Sequence, residues 1–174
     1  MPGAHNRQNM LMAVAVGLEV GLSASAMSDA LRCFPGVPHR LELIRQLDGV
    51  AWFNDSKATN ADSAAKALQS YPKIRWIAGG LGKEGGITGL VPFLGAVQKA
   101  YLIGQSATDF AADLGDTPFE ICETMERAVA AAAADACGLR TAGVPHRHDQ
   151  LHLWAHQRRA QRGARGKQPR AGPP

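Results

Sequence analysis

Residues 50–69 read VAWFNDSKATNADSAAKALQ, and this stretch decides the fold. The apolar-rich run Val50–Asn54 is typical of a buried strand, and a helical pattern follows at 61–69 after a polar loop. A strand, a loop and a helix in this order form the repeating unit of a parallel sheet. The sequence therefore predicts an α/β protein with a Rossmann-like, mostly parallel and doubly wound sheet.

The same alternation continues on both sides of this stretch. Strands are predicted at 41–45, 50–54, 74–78, 99–103 and 119–122, and helices at 61–69, 107–114 and 123–135. Because strands and helices alternate throughout, residues 39–136 are predicted to form one domain with a mostly parallel, doubly wound sheet.

The N-terminal region imitates a signal peptide, with an apolar run at 10–18 followed by Ala24-Ser25-Ala26. Glu19 ends that run too early, and apolar residues recur at helical spacing, so a helix is predicted instead. A second helix is predicted at 24–34 with Ser23 as its N-cap, followed by the Pro- and Gly-containing linker 34–38. Neither helix is long enough to span a membrane.

Charge and cysteine content exclude several classes of protein. Of the 174 residues, 1–136 carry 11 Lys and Arg against 14 Asp and Glu, whereas 137–174 carry 8 against 1. Three distant cysteines offer neither a zinc site nor a disulfide framework, so no metal site is predicted within this chain. The basic tail, 137–174, is predicted to be disordered. Nucleic-acid binding by the tail is an alternative function, although the tail has only Trp154 for base stacking.

Two loops at the expected carboxyl ends of strands hold the candidate site. The loop Asn54-Asp55-Ser56-Lys57-Ala58-Thr59-Asn60 places a lysine among carboxylate, hydroxyl and amide groups. A capped helix start explains some of these polar residues but not Lys57, a cation suited to phosphate or carboxylate. The second loop, 79–86, has five glycines and Lys83, yet it fits neither a P-loop nor a dinucleotide fingerprint.

Four strings in this order resemble one family. They are His5-Asn6-x-x-Asn9, Pro38-His39-Arg40-Leu41-Glu42, the string from Asn54 to Asn60, and Gly79-Gly80-x-Gly82-Lys83. Together they are similar to the D-glutamate-adding branch of the Mur ligases, cytoplasmic bacterial enzymes of peptidoglycan synthesis. That branch uses ATP to join D-glutamate to UDP-N-acetylmuramoyl-L-alanine through an acyl-phosphate intermediate.

The resemblance implies a role for each matching residue. Asn6, Asn9, His39, Arg40 and Asp55 would bind ATP, with Arg40 at the terminal phosphate and Asp55 at the ribose. Three further residues would hold D-glutamate and the developing charge, namely Lys57, Thr59 and Lys83. Of these residues, Lys57 and Arg40 would be catalytic. ATP implies Mg2+, whose ligands would lie mostly outside this chain.

The resemblance also implies a domain organisation. Residues 1–38 would end the central ATP-binding domain, and 39–136 would form a C-terminal domain lacking its last strand. The UDP-binding domain and the P-loop half of the central domain have no counterpart here. We expect a cytoplasmic monomer acting on small molecules, with no nucleic-acid or membrane partner. The alternative is a non-catalytic remnant of the ligase, and the tail from about 137 onward is predicted to be out of frame.

Overall fold

The computed structural model describes the backbone of residues 3–47, 49–81, 85–141 and 150–156, and the side chains of those up to 136. Five α-helices and six strands occur in these ranges. The helices are α1 Ala4–Glu19, α2 Ala24–Cys33, α3 Ala61–Leu68, α4 Ala107–Asp113 and α5 Met125–Thr141. The strands are β1 Glu42–Leu47, β2 Val50–Asn54, β3 Ile74–Gly80, β4 Val97–Ile103, β5 Phe119–Glu123 and β6 Gln150–His156.

The strands form one sheet in the order β1-β2-β6-β3-β4-β5. All neighbouring strands from β2 to β5 run parallel, and only β1 is antiparallel to its neighbour, β2. Helices pack on both faces, as crossover connections between parallel strands require. The predicted α/β fold with a mostly parallel sheet is confirmed.

Residues 137–174 were predicted to be disordered and the sheet to lack its last strand, and the structure corrects this prediction at two places. Helix α5 continues to Thr141, and β6 lies in the middle of the sheet, paired with both β2 and β3. The expected sheet without a last strand would have left β2 and β3 with unpaired edges where β6 now bonds to both. The signal was the alternation of Leu151, Leu153 and Ala155 with polar or aromatic residues, typical of a strand. Residues 142–149 and 157–174 lie outside the described residues.

Each face of the sheet has its own apolar core because side chains alternate along a strand. On one face Trp76 of β3 packs with Leu68 of α3 and Phe110 of α4, all at most 4% exposed. On the other face Ile77 of β3 and Tyr101 of β4 pack against α5. Helix α5 presents three small buried residues to the sheet at helical spacing, Ala128, Ala132 and Ala136.

A 3-10 helix, Thr88–Ala96, was not predicted. It contains Pro92, and its glycines interrupt any helical period, so the sequence gives no α-helical signal there. Leu90 and Leu94 nevertheless point into the core beside α3. The segment therefore serves as a cover for one face of the sheet ahead of β4.

A polar network joins the amino-terminal parts of β3 and β4 to α5. Buried Arg75 donates to the Tyr101 hydroxyl at 3.2 Å, and Asp135 accepts from Tyr101 and from Lys99, each at 2.8 Å. Burial alone would raise the pKa of Asp135, but the hydrogen bonds from Lys99 and Tyr101 hold that pKa below its ordinary value. The network thus gives hydrogen-bond partners to the two terminal nitrogens of a buried guanidinium, at the end of the sheet opposite the candidate site.

Helices α1 and α2 form a hairpin ahead of the sheet. Ser23 caps α2 as predicted, accepting from the Ala26 N–H at 3.2 Å. Gly17 lets α1 approach Met27, because a methyl group there would meet the Met27 Sδ at 2.6 Å. Four large apolar side chains of α1 are exposed, namely Leu11, Met12, Val16 and Leu18. Among the described residues, no helix has the length and apolar character to cross a membrane.

Candidate functional site

The loop after β2 places its functional groups at the carboxyl end of the sheet. Asn60 caps α3, its side-chain oxygen accepting from the Ser63 N–H at 2.9 Å. Because Asn60 is the cap, the preceding Thr59 hydroxyl is not used in capping α3. Lys57 is exposed and Thr59 is partly exposed. Both residues therefore remain accessible to a ligand at the strand end.

A turn at residues 37–42 is bound to this loop by hydrogen bonds that backbone N–H groups donate. The Lys57 N–H donates to the His39 carbonyl at 3.0 Å, and the Leu41 N–H donates to Asp55 Oδ1 at 3.0 Å. His39 and Leu41 both have positive φ, 63° and 43°, a conformation rare in residues with a side chain. The hydrogen bonds hold this strained turn in place, so His39 and Arg40 lie next to Asp55 and Lys57.

The imidazole of His39 is part of the same contact. Asn54 Nδ2 lies 2.8 Å from His39 Nδ1, and the His39 N–H donates to Glu42 Oε2 at 2.7 Å. The same Glu42 oxygen lies 3.8 Å from His39 Nδ1. Asn54 and Glu42 were not predicted as site residues, although both belong to the quoted sequence strings. Both side chains contact His39, Asn54 at the ring and Glu42 at the backbone N–H, and so hold this residue in position.

Asp55 is the buried carboxyl group of the site, with 5% of its surface exposed. Burial raises the pKa of Asp55 to about 6, although the Leu41 N–H and the Arg40 charge both favour the ionised form. A carboxylate near the carboxyl end of β2 that titrates close to neutrality is unusual for a purely structural residue. It suits a group that binds hydroxyls or accepts a hydrogen bond from a ligand.

A small cavity of about 40 Å3 lies between α1, the turn and α3. Its lining comprises His5, Arg40, Leu41, Asp55, Ala58, Ser63, Lys66 and Ala67. Burial, and then the positive charges of Lys66 and Arg40, lower the pKa of His5. This volume is far below the size range of small-molecule sites, so the cavity cannot hold such a ligand by itself. Ser63 and Lys66 were not predicted; their signal was the i, i+3 spacing on α3 next to the loop.

A larger groove of about 530 Å3 adjoins the turn on its other side. Phe34, Val37 and Leu43 supply apolar surface, and Phe53 contacts Tyr71 with ring centroids 5.0 Å apart. Arg40 lines both the groove and the small cavity. The groove is within the size range of small-molecule sites, and it combines apolar walls with one guanidinium.

Three further predicted site residues, Asn6, Asn9 and Lys83, differ in where the structure places them. Asn6 lies on α1 and is buried at 4% exposure, one residue from the cavity-lining His5. Asn9 is exposed on α1 and does not line the cavity. Lys83 lies outside the described residues, so its predicted position beside Lys57 stays a prediction.

The glycines at the end of β3 have a packing role. A methyl group on Gly79 would lie 1.9 Å from the Ile103 carbonyl oxygen of β4, and Gly79 has a φ of 139°. The Ser106 N–H and hydroxyl both bond to the Gly80 carbonyl, at 3.2 and 3.0 Å. Close approach of β3, β4 and the loop after β4 therefore accounts for Gly79 without any ligand.

A divalent metal finds few ligands here. The described part of the chain contains no group of three or more His, Cys, Asp or Glu residues arranged to hold a metal ion. Asp55 is a single carboxylate, whereas a hard divalent cation takes several oxygen ligands. The described residues therefore do not supply a full set of magnesium ligands by themselves.

Replacing Asp55 with Asn is expected to stabilise the protein at neutral pH. The pKa of Asp55 is about 6 in the folded state and 3.8 in the unfolded state, so ionisation of this carboxyl group destabilises the folded protein. The destabilisation is absent below pH 3.8 and complete above about pH 6. Asn is uncharged and keeps an oxygen for the Leu41 N–H. Urea unfolding is expected to show a gain of about 1 to 3 kcal/mol at pH 7.5 that disappears near pH 4.

The lowered pKa of His5 also makes stability depend on pH, but this contribution is the same in the variant and the parent. It therefore cancels when the two proteins are compared at each pH. Equal stability of the two proteins at both pH values, or a loss at pH 7.5, would contradict the assignment of a costly buried charge to Asp55.

Several known proteins are similar to this chain in sequence. The Mur ligase glutamate ligase domain matches residues 39–139. UDP-N-acetylmuramoylalanine–D-glutamate ligase of Cereibacter sphaeroides is 60% identical over 136 residues, which are 78% of this chain and 29% of that ligase. The ligase of the same name from Dinoroseobacter shibae is 56% identical over 136 residues, with the same two coverages, 78% and 29%. The chain thus spans less than a third of the length of these relatives.

Solved structures with low sequence identity show the same fold. Mycobacterium tuberculosis folylpolyglutamate synthase complexed with ADP superposes with a TM-score of 0.69 at 18% identity, over 90% of this chain and 38% of that one. UDP-N-acetylmuramate-alanine ligase from Thermotoga maritima gives a TM-score of 0.64 at 16% identity, over 90% and 35%. The domain match, which covers more than half of the chain, establishes that the chain belongs to the Mur ligase family and carries its glutamate ligase domain.

Proposed function

We propose that this chain is the C-terminal part of an ATP-dependent ligase that adds D-glutamate to UDP-N-acetylmuramoyl-L-alanine. The observation that carries the proposal is the hydrogen-bonded unit of the 37–42 turn and the loop after β2. This unit collects an imidazole, a guanidinium, a buried carboxyl and an ammonium group at one strand end. The 60% identical ligases named above support the choice of D-glutamate as the added amino acid.

The reaction needs cations because it brings anions together. ATP transfers its terminal phosphoryl group to the alanyl carboxylate, giving an acyl phosphate and ADP. The D-glutamate amine then attacks the acyl carbon, and phosphate leaves from the tetrahedral intermediate. Phosphates, the acyl phosphate and the two carboxylates of D-glutamate all carry negative charge, so fixed positive groups stabilise both steps.

The residues divide this work by position. Arg40, on the border between cavity and groove, would bind the terminal phosphate with several N–H donors. Lys57, Thr59 and Lys83 would hold D-glutamate and the charge that develops during attack. The adenosine side would be bound by Asn6, Asn9, His39 and Asp55. Magnesium would accompany ATP, with its ligands mostly outside this chain.

The exposed apolar side of α1 fits a protein that continues beyond these residues. Leu11, Met12 and Val16 are each at least 60% exposed, an unusual cost for a helix facing water. The matched part is only 29% of the length of the Cereibacter sphaeroides ligase. We assign this side of α1 to packing against the remainder of the ATP-binding domain. A cytoplasmic monomer remains our proposal for the whole enzyme.

The 174-residue chain on its own is expected to make no UDP-N-acetylmuramoyl-L-alanyl-D-glutamate. Its sequence contains no P-loop to position the β- and γ-phosphates, and orientation of the reacting groups accounts for much of the rate. The test incubates purified chain with ATP, Mg2+ and both substrates and follows product by chromatography and phosphate release. Turnover above a Lys57→Ala control would contradict the proposed dependence on the rest of the ligase.

A non-catalytic remnant is the second candidate, favoured by the 29% coverage. The two candidates differ in what happens when the missing part is supplied. A remnant stays inactive when it is joined to the rest of a working ligase, whereas a functional C-terminal part restores synthesis.

A further inference from the structure

His39 is held on three sides by the chain itself. Its N–H donates to Glu42 and its carbonyl accepts from the Lys57 N–H, which fixes the backbone at a φ of 63°. The third contact, from Asn54 Nδ2 to the ring Nδ1 at 2.8 Å, fixes the imidazole. The side chain is nevertheless 58% exposed, so the rest of the ring is open to a ligand.

The orientation of the Asn54 amide is determined by a second contact. Its Oδ1 accepts from the Ser56 N–H at 3.1 Å. Because the oxygen is used by the backbone, the NH2 group is the one that faces His39. An amide NH2 only donates, so Nδ1 must accept, and the proton of a neutral ring then sits on Nε2.

Glu42 has the opposite preference. Its Oε2 lies 3.8 Å from His39 Nδ1 and would favour a proton on that nitrogen. Asn54 is closer by about 1 Å and occupies the nitrogen with a donor. The Glu42 oxygen is meanwhile engaged by the His39 N–H at 2.7 Å. The contacts therefore favour control of the ring by Asn54.

We propose that Asn54 is a positioning residue that keeps neutral His39 in the form with its proton on Nε2. The proposal rests on the proposed function. In this form, the exposed part of the ring presents an N–H donor to an acceptor on the nucleotide. Asn54 acts through His39 and does not itself contact the substrate. Its place at the end of β2, with Asp55 next to it, links the register of the sheet to the orientation of the ring.

The test measures the tautomer directly by two-bond 1H–15N NMR of the histidine rings in the full chain. Spectra are recorded at about pH 8.5, about two units above the ordinary histidine pKa. His39 is assigned by loss of its signals in His39→Gln. The expected result is a protonated Nε2 and an unprotonated Nδ1. A proton on Nδ1 in the parent chain would overturn the proposal without any variant.

Asn54→Asp supplies the decisive comparison. The carboxylate keeps an oxygen for the Ser56 N–H but offers an acceptor to His39, so the two ring nitrogens are expected to exchange their protonation states. Asn60→Asp is the matched control, because Asn60 is used only as an acceptor in capping α3, and it should leave His39 unchanged. An unchanged tautomer in Asn54→Asp would overturn the proposal. Since no nucleotide is used, failure of ATP binding would count against the proposed function alone.

Discussion

Replacing Lys57 with alanine in an active ligase containing these residues is expected to lower kcat/KM for D-glutamate by a factor of about 10² to 10³. The ligase in question is that of Cereibacter sphaeroides with its 136 matched residues replaced by those of this chain. Lys57 follows β2 and is exposed, and its backbone N–H is bonded to the His39 carbonyl. The ammonium group therefore extends from a fixed point at the edge of the proposed nucleotide site, where we expect it to hold a carboxylate of D-glutamate.

The effect should be specific to the amino acid and to this position. Affinity for ATP should change less than threefold, and Lys57→Arg should recover part of the lost rate because it restores the charge. Lys73→Ala is the matched control, since Lys73 is exposed just ahead of β3, at the amino-terminal end of the sheet. Equal loss in Lys73→Ala, or none in Lys57→Ala, would remove Lys57 from the site.

Replacing Gly79 with alanine is expected to cost about 3 kcal/mol or more of stability. The added methyl group would lie 1.9 Å from the Ile103 carbonyl oxygen, a backbone atom of the paired strand β4 that cannot move alone. The φ of 139° adds strain for any residue with a side chain. Thermal unfolding should show a midpoint lower by roughly 6 to 12 °C, or loss of the folded protein.

Gly95→Ala is the matched control for this change. A methyl group at Gly95 meets nothing within 4 Å, so its effect should stay within about 0.5 kcal/mol. If Gly79→Ala were as stable as the parent, close packing of β3 against β4 would not explain the glycine.

The sequence predicted most of the sheet because local patterns encode it. Buried runs of β-forming residues marked β2, β3 and β4, and polar loops marked their ends. The pairing partners of β6 could not be predicted in the same way. Its position between β2 and β3 is set by contacts far apart in the chain, and its flanks resemble a basic tail. That the chain is out of frame from about residue 137 stays a prediction, which translation of the other two frames of its DNA would test.

The candidate site was predictable in its loops and less so in its geometry. The strand-end argument singled out the loop with Asp55 and Lys57, because polar groups after parallel strands meet at one edge of the sheet. Arg40, which precedes β1, was proposed only from the family resemblance. The contact between Asn54 and His39 depends on a turn with positive φ at residues that rarely adopt it, which no local pattern predicts. Burial of Asp55, and hence its raised pKa, likewise follows from packing between the turn and α3.

The central claim is tested most directly by the activity of the chimeric ligase itself. The first part of the Cereibacter sphaeroides enzyme is joined to the 136 matched residues of this chain, followed by the remainder of that enzyme. Purified chimera is supplied with ATP, UDP-N-acetylmuramoyl-L-alanine and D-glutamate, and the product is measured by mass spectrometry. We expect synthesis of UDP-N-acetylmuramoyl-L-alanyl-D-glutamate within about tenfold of the natural enzyme. A folded chimera that makes no product would show that these residues are a non-catalytic remnant.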